Sequence, residues 1–297
     1  MILSNSNLDR KNAIMELLPY QKNDFYKILK EMSPNPVTIR LLDPPLHEFL
    51  PSQKNTELIK ALAKNMNVTV KEIKNRIIDL FEINPMLGHR GCRLAISFPE
   101  ITEMQVEAIF TACKKLINEG IKPNPEIMIP LVSTIGEFEN QQIVIKKIAK
   151  KLNKKFKIKL KYKIGTMIEL PRACLTADKI AKKADFISFG TNDLTQTTFG
   201  FSRDDIGSFI QDYFDHNILT EDPFKTIDQQ GVGELVKIAA EKATKSKPKI
   251  KIGICGEHGG DPRSIYFFNS INLNYVSCSP YRIPIAYLAA AKASFRM

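Results

Sequence analysis

The chain has 297 residues, of which 43% are hydrophobic and 25% charged, a balance suited to a soluble globular protein that buries a full core as one large domain or two small ones. No apolar run reaches the roughly 18–20 residues of a membrane span, and the N-terminus shows no basic segment leading into an apolar one. The five cysteines, at 92, 113, 174, 255 and 278, are odd in number and lack any Cys-x-x-Cys spacing, so reduced thiols in a cytoplasmic compartment are expected rather than a disulfide framework.

The net charge of +11 raises nucleic acid or a membrane surface as partners. The excess sits in lysines on polar helix faces, such as Lys146-Lys147, Lys150-Lys151 and Lys154-Lys155, with no aromatic residues interleaved as stacking platforms. Neither partner is therefore expected, and the charge favours anionic small substrates.

In chain order, residues 11–32 read as a helix with Ile14, Leu17, Leu18, Phe25, Ile28 and Leu29 on the helical period, ended by Pro34 and Pro36. Residues 37–43 read as a strand cut off by Pro44-Pro45. Arg40 lies inside this strand, where a guanidinium needs an anion: either a structural carboxylate such as Asp43 or an anionic ligand. Helical patterns cover 54–65, 69–81 and 99–119. Between the last two, Gly88 and Gly91 with Arg90 and Arg93 predict a sharply bent loop pointing guanidinium groups inward. His89 reads as a packing or hydrogen-bonding residue, and Cys92 and Cys113 as small buried apolar groups.

From residue 121 strand and helix alternate. Strands are predicted at 125–132, 163–169, 186–191, 249–255 and 274–278, with a helix at 136–152 and helices opened by Pro171, Pro262 and Pro280. Residues 200–232 read as a long functional loop. This alternation predicts an α/β fold with a parallel sheet. Polar residues at the carboxyl ends of strands favour a (β/α)8 TIM-type barrel over an open doubly wound sheet. Only six strands are found against the eight of a closed barrel, so the expectation is one domain over 1–297, a barrel incomplete at its N-terminus.

Two strands deliver carboxylates. Residues 163–171 end in Glu169, and residues 186–196 carry Gly190, Thr191, Asn192 and Asp193. Gly190 allows close backbone approach, Thr191 and Asn192 offer hydrogen bonds, and Asp193 offers a hard oxygen. Alone, Thr-Asn-Asp also suits a strand, a turn and a helix cap. Glu169 and Asp193 together, one strand–helix unit apart, suit Mg²⁺ with open positions for a substrate. Cys278 ends the last strand two residues before Pro280. A helix N-terminus there would lower the thiol pKa and suit proton transfer; the alternative is another buried cysteine. Cys255 and Cys174 read as structural, and Glu257 and His258 as groups that support a site or satisfy a strand end.

The segments 40–49 (RLLDPPLHEF), 88–93 (GHRGCR), 165–171 (GTMIELP), 189–196 (FGTNDLTQ), 255–261 (CGEHGGD) and 277–284 (SCSPYRIP) resemble the phosphoenolpyruvate/pyruvate barrel of the PEP-utilising enzymes. That barrel is the C-terminal domain of pyruvate, phosphate dikinase and is shared with phosphoenolpyruvate synthase and enzyme I of the sugar phosphotransferase system. The segments at 40–49 and 277–284 point to the dikinase branch. The resemblance implies phosphoryl transfer between a phosphohistidine, on another domain or chain, and pyruvate or its enolate. It implies that Glu169 and Asp193 hold Mg²⁺, that Gly190, Thr191 and Asn192 line the substrate, and that Arg40, Arg90 and Arg203 neutralise the phosphoryl group. It gives Cys278 proton exchange at the substrate methyl carbon, and implies a homodimer through the barrel. The family's nucleotide-binding and phosphohistidine domains, and a Gly-Leu-Cys-Arg-Thr-Glu segment of the phosphoryl site, are not matched in this sequence. The expectation is a catalytic module whose missing parts come from a separate chain, which alone would not carry out the ATP half-reaction. The alternatives are a remnant without turnover or a domain of the related synthase.

Overall fold

The computed structural model describes Leu3 and residues 7–295, apart from the side chains of Asn7, Leu46 and His47. Its chain divides into two compact units, Met1–Glu126 with Asn140–Tyr162, and Ile127–Glu139 with Lys163–Met297.

The elements up to residue 156 are α1 (Asn7–Met32), β1 (Val37–Arg40), α2 (Thr56–Met66), α3 (Val70–Asp79), α4 (Gly91–Ser97), α5 (Pro99–Asn118), β2 (Pro125–Ile129) and α6 (Ile135–Phe156). Helix α2 begins where the Asn55 side chain accepts the Leu58 N–H, and it ends at Asn67 in the left-handed region. Helix α3 opens on a reciprocal cap between Thr69 and Glu72. Ile59 and Ala63 of α2 meet Ile73 and Ile77 of α3, so the two caps orient one apolar seam. Ile14 of α1 joins Leu94, Ile101 and Met104 in a second cluster.

Two expectations change here. β1 stops at Arg40 rather than at 43. Helix α4 takes up part of the loop expected around Gly88, Arg90, Gly91 and Arg93; Gly91, at φ +56°, makes the bend and the helix starts directly on it.

The later elements are β3 (Lys163–Ile168), α7 (Pro171–Leu175), α8 (Ala177–Lys183), β4 (Phe186–Gly190), α9 (Thr191–Phe199), α10 (Ile210–Asp215), α11 (Val232–Ser246), β5 (Lys251–Cys255), α12 (Pro262–Ser270), β6 (Tyr275–Val276) and α13 (Ile283–Ser294). Prolines open α7 and α12, where a missing N–H costs nothing. Pro280 instead opens a 3₁₀ turn, Pro280–Arg282, that runs into α13. Residues 200–232 are not structureless. Phe199, Phe201, Phe209 and Tyr213 pack ring against ring at 5.2–5.7 Å, beside a 3₁₀ turn at Ile206–Ser208 and α10.

The six strands follow chain order in the sheet, β1-β2-β3-β4-β5-β6. β3 to β6 pair in parallel, with Ile168 opposite Phe189, Gly190 opposite Cys255 and Ile254 opposite Val276. β4 is buried along its whole length, as a parallel strand covered on both faces must be. The fold is α/β, with the consecutive strand–helix units of a (β/α) barrel and six strands among the described residues. β6 is shorter than the expected 274–278, because only Tyr275 and Val276 pair with β5.

Candidate functional site

The parallel register brings the carboxyl ends of β3, β4 and β5 side by side. Glu169, the first residue after β3, is fully buried, and its Oε1 accepts the Leu131 N–H at 2.5 Å. Leu131 adopts φ +57°, a conformation rare for a leucine, and in it the N–H faces the carboxylate. A Cβ on Gly190 would collide with the Glu169 carboxylate and the Met167 methyl. Glycine is required there because the Glu169 side chain crosses the end of β4, rather than only to admit a ligand.

Asp193 follows in the first turn of α9, half-buried. The helix N-terminus supports negative charge at that place. Thr191 and Asn192 use their side chains to bind the next strand end. The Thr191 hydroxyl donates to the Cys255 carbonyl at 3.2 Å, and Asn192 Oδ1 accepts the Glu257 N–H at 3.3 Å. Gly256 sits between these bonds at φ +107°, and a Cβ there would lie 2.8 Å from Thr191 Oγ1.

Among the described residues no group of three or more His, Cys, Asp or Glu is arranged to hold a metal. Two carboxylates on adjacent strand ends are the hard oxygen donors that a divalent cation such as Mg²⁺ would take. The crowding of Glu169 over Gly190 meets that description, since it directs the carboxylate to the β4 end that carries Asp193.

Arg40 and Arg90 belong to the first unit, and both reach Asp43. Asp43 Oδ2 lies 3.0 Å from Arg40 Nη1 and 2.9 Å from Arg90 Nη2. The Arg40 side chain is 46% exposed and that of Arg90 only 3%. Arg90 also donates to the Met86 carbonyl at 3.4 Å, and Arg93 ties the loop by donating to the carbonyls of Leu87 and Gly88. Arg90 thus points inward as expected, while Arg40 pairs with Asp43 and still presents part of its guanidinium to solvent. His89 contacts Ser97 and the Phe98 ring.

The thiols fall into distinct environments. Burial pushes those of Cys113 and Cys174 up to about 12, so both stay protonated near neutrality. Cys278 packs with Val276 against Ile265, Ala286 and Ala289, an apolar cluster of α12 and α13. Cys255 sits at the end of β5 opposite Gly190, packs against the Met128, Met167 and Phe186 cluster, and its Sγ accepts from the Ser188 hydroxyl at 3.6 Å. Cys255, read from sequence as structural, ends β5 level with Gly190 and donates its thiol to the Phe189 carbonyl at 3.4 Å, while Cys278 follows two residues after Val276, which pairs with Ile254, and so lies at the same end of the sheet. Leu131 is the residue around Glu169 that the sequence did not mark, because a positive φ at leucine cannot be read from sequence.

His258 is buried beneath the same rim, and its Nε2–H donates to the Pro223 carbonyl at 2.9 Å. Burial lowers its pKa, outweighing that hydrogen bond and the charges of Asp261, Glu257 and Asp222, so the ring is neutral near pH 7. Arg203 and Arg282 both approach the Glu257 carboxylate, at 3.9 and 3.7 Å.

Polar groups gathered along the carboxyl ends of consecutive parallel strands define the class of (β/α) barrels, which place their sites at that end. Residues 2–295 match the family described as PEP-utilising enzyme, PEP-binding domain, and the chain belongs to it. The chain is 54% identical over 292 residues to the chloroplastic pyruvate, phosphate dikinase of Flaveria trinervia, covering 98% of this chain and 31% of that protein. It is likewise 54% identical to pyruvate, phosphate dikinase 1 of Arabidopsis thaliana, over 98% of this chain and 30% of the relative. For pyruvate, phosphate dikinase 2 of Oryza sativa subsp. japonica the identity is 53%, over 98% and 33%. The chain spans about a third of the length of these curated relatives. Among the described residues no helix is long and apolar enough to cross a membrane.

Proposed function

We propose that this chain is the phosphoenolpyruvate/pyruvate module of a pyruvate, phosphate dikinase-type phosphotransferase, moving a phosphoryl group between a phosphohistidine on another domain or chain and pyruvate. The carrying observation is the convergence of Glu169, Gly190 and Cys255 at three consecutive parallel strand ends, in a chain 54% identical to such enzymes over 292 residues. Glu169 and Asp193 are the residues that would hold Mg²⁺, which supplies positive charge to stabilise the enolate oxygen. The neutral, hydrogen-bonded frame of Thr191, Asn192 and Gly256 keeps the rim rigid around the substrate. Arg40, Arg90 and Arg203 are assigned to charge neutralisation of the phosphoryl group, as the family resemblance implies. The module works in the cytoplasm, as the cysteine usage suggests, and as a homodimer.

The proton of the substrate methyl group needs an acid at the rim. Cys278 is assigned this role: it follows the end of β6, two residues before the 3₁₀ turn at Pro280–Arg282 that leads into α13, whereas the Cys255 thiol is bonded to the Phe189 carbonyl at 3.4 Å. Solvent deuterium exchange at the pyruvate methyl group with Mg²⁺, followed by NMR, tests the assignment. Exchange lost in Cys278→Ala and kept in Cys255→Ala is the expected result; the reverse pattern moves the role to Cys255. Absence of exchange in the wild-type chain, together with failure of oxalate to bind with Mg²⁺, would leave the remnant reading in place of this one.

A further inference from the structure

The first unit contains a cavity of about 370 Å³ between α1, α2, α5 and the chain that follows β1. Leu17 and Gln21 come from α1, Leu42 from the segment after β1, Leu62 from α2, and Met104 and Gln105 from α5. Close-packed interiors leave few spaces larger than a water molecule. A volume of this size falls instead within the roughly 300–1,000 Å³ range of small-molecule sites. Met104 is anchored in the buried cluster with Ile14, Leu94 and Ile101, so that part of the wall is fixed. Leu17 is 46% exposed and borders the opening to solvent.

The described residues that line the cavity include no charged side chain. A charged ligand would lose its hydration there and gain no counter-ion. Polarity comes from two amides in series. The Leu42 N–H donates to Gln105 Oε1 at 2.8 Å, and Gln105 Nε2–H donates to Gln21 Oε1 at 3.3 Å. A backbone N–H can only donate, so it fixes the orientation of the Gln105 amide, and Gln105 in turn fixes that of Gln21. Each amide oxygen already accepts a bond, and what Gln21 offers at the cavity wall is N–H. An apolar wall with one directed N–H group selects an apolar molecule with one acceptor. The relay ends at Leu42, next in sequence to Asp43, whose carboxylate holds Arg40 and Arg90.

We infer that this cavity binds a small, neutral, largely apolar molecule whose single acceptor oxygen takes the Gln21 N–H. None of its lining residues is assigned to the metal, the substrate or the phosphoryl group, and the inference does not rest on the proposed function. Bound there, the molecule packs against Leu42 and steadies the segment that leads to Asp43.

The probe is prodan, a neutral naphthalene with one ketone, whose emission moves to the blue in apolar surroundings. The full 297-residue chain is titrated with prodan, and with the analogue carrying propyl in place of the propionyl group, read by displacement of prodan. Wild type is compared with Leu17→Trp, Leu62→Trp and Gln21→Leu, each checked by circular dichroism for an unchanged fold. Saturable, blue-shifted binding is expected in wild type, weakened about tenfold or more by either tryptophan because the indole takes up the space. Prodan is expected to bind about fivefold more tightly than its propyl analogue, and Gln21→Leu should erase that difference. Amide hydrogen exchange at Leu42 should slow when prodan saturates the wild-type chain. Absence of saturable binding overturns the inference and leaves the cavity to a segment of protein. Binding that ignores both tryptophans, equal affinity for the two naphthalenes in wild type, or exchange at Leu42 that prodan does not alter, overturns it as well.

Discussion

At Asp43 one carboxylate oxygen accepts from two arginines, and the contacts differ in worth because their exposures differ. Arg90 is buried, so removal of its counter-ion strands a charge; Asp43→Ala is expected to lower unfolding stability by about 3–5 kcal/mol in denaturant titration. Arg40→Ala, on the half-exposed side of the same carboxylate, is expected to cost below about 1 kcal/mol. His258 gives a pH dependence whose sign follows from burial. The unfolded ring takes up a proton near its ordinary 6.5, and the folded ring only at lower pH. Its contribution to stability is full above 6.5 and is lost as pH falls from there through the lowered folded pKa. Chemical unfolding followed from about pH 7.5 down to 5 should show this slope, and His258→Gln, which keeps a donor for Pro223, should flatten it.

Elements set which atoms these residues can present. Helix α3 depends on its reciprocal cap, and the hydrogen bonds from Thr69 hold the Glu72 carboxyl below the usual carboxylate range. Thr69→Ala should cost about 1 kcal/mol, seen as a lower melting temperature without loss of oxalate binding. The end of β5 behaves differently. Gly256 combines a left-handed-side φ with contact on Thr191 and Asn192, so Gly256→Ala should cost about 1–3 kcal/mol and also weaken ligand binding at the rim. A variant that loses stability while binding oxalate normally would show that the rim tolerates a different backbone there.

For the whole molecule, the formal charge of +11 acts on encounter more than on fold. Association of oxalate or phosphoenolpyruvate should slow as salt rises toward about 0.15 M, where exposed charges more than about 8 Å apart are screened. An association rate independent of ionic strength would assign the lysine excess no part in substrate capture. The strand order, each strand beside its neighbour in sequence, lines up successive carboxyl ends as a row, which is why Glu169, Gly190 and Cys255 meet although 86 residues separate the first from the last.

The alternation of apolar strands and proline-opened helices was legible in the chain itself, because period and turn chemistry are local properties. So were the polar residues at strand ends, including Glu169 and Asp193, since an apolar run that stops on a carboxylate is visible in one dimension. The partners of those residues were not legible. Whether Arg40 meets Asp43, whether Thr191 binds a ligand or the next strand, and which thiol stands at the rim are all set by pairing register and side-chain direction. A shift of one residue in register reverses the face that every side chain of a strand presents, and local sequence carries no record of that choice. The positive φ at Leu131 belongs with them, since a leucine takes it only where the surrounding packing and the Glu169 carboxylate hold it there.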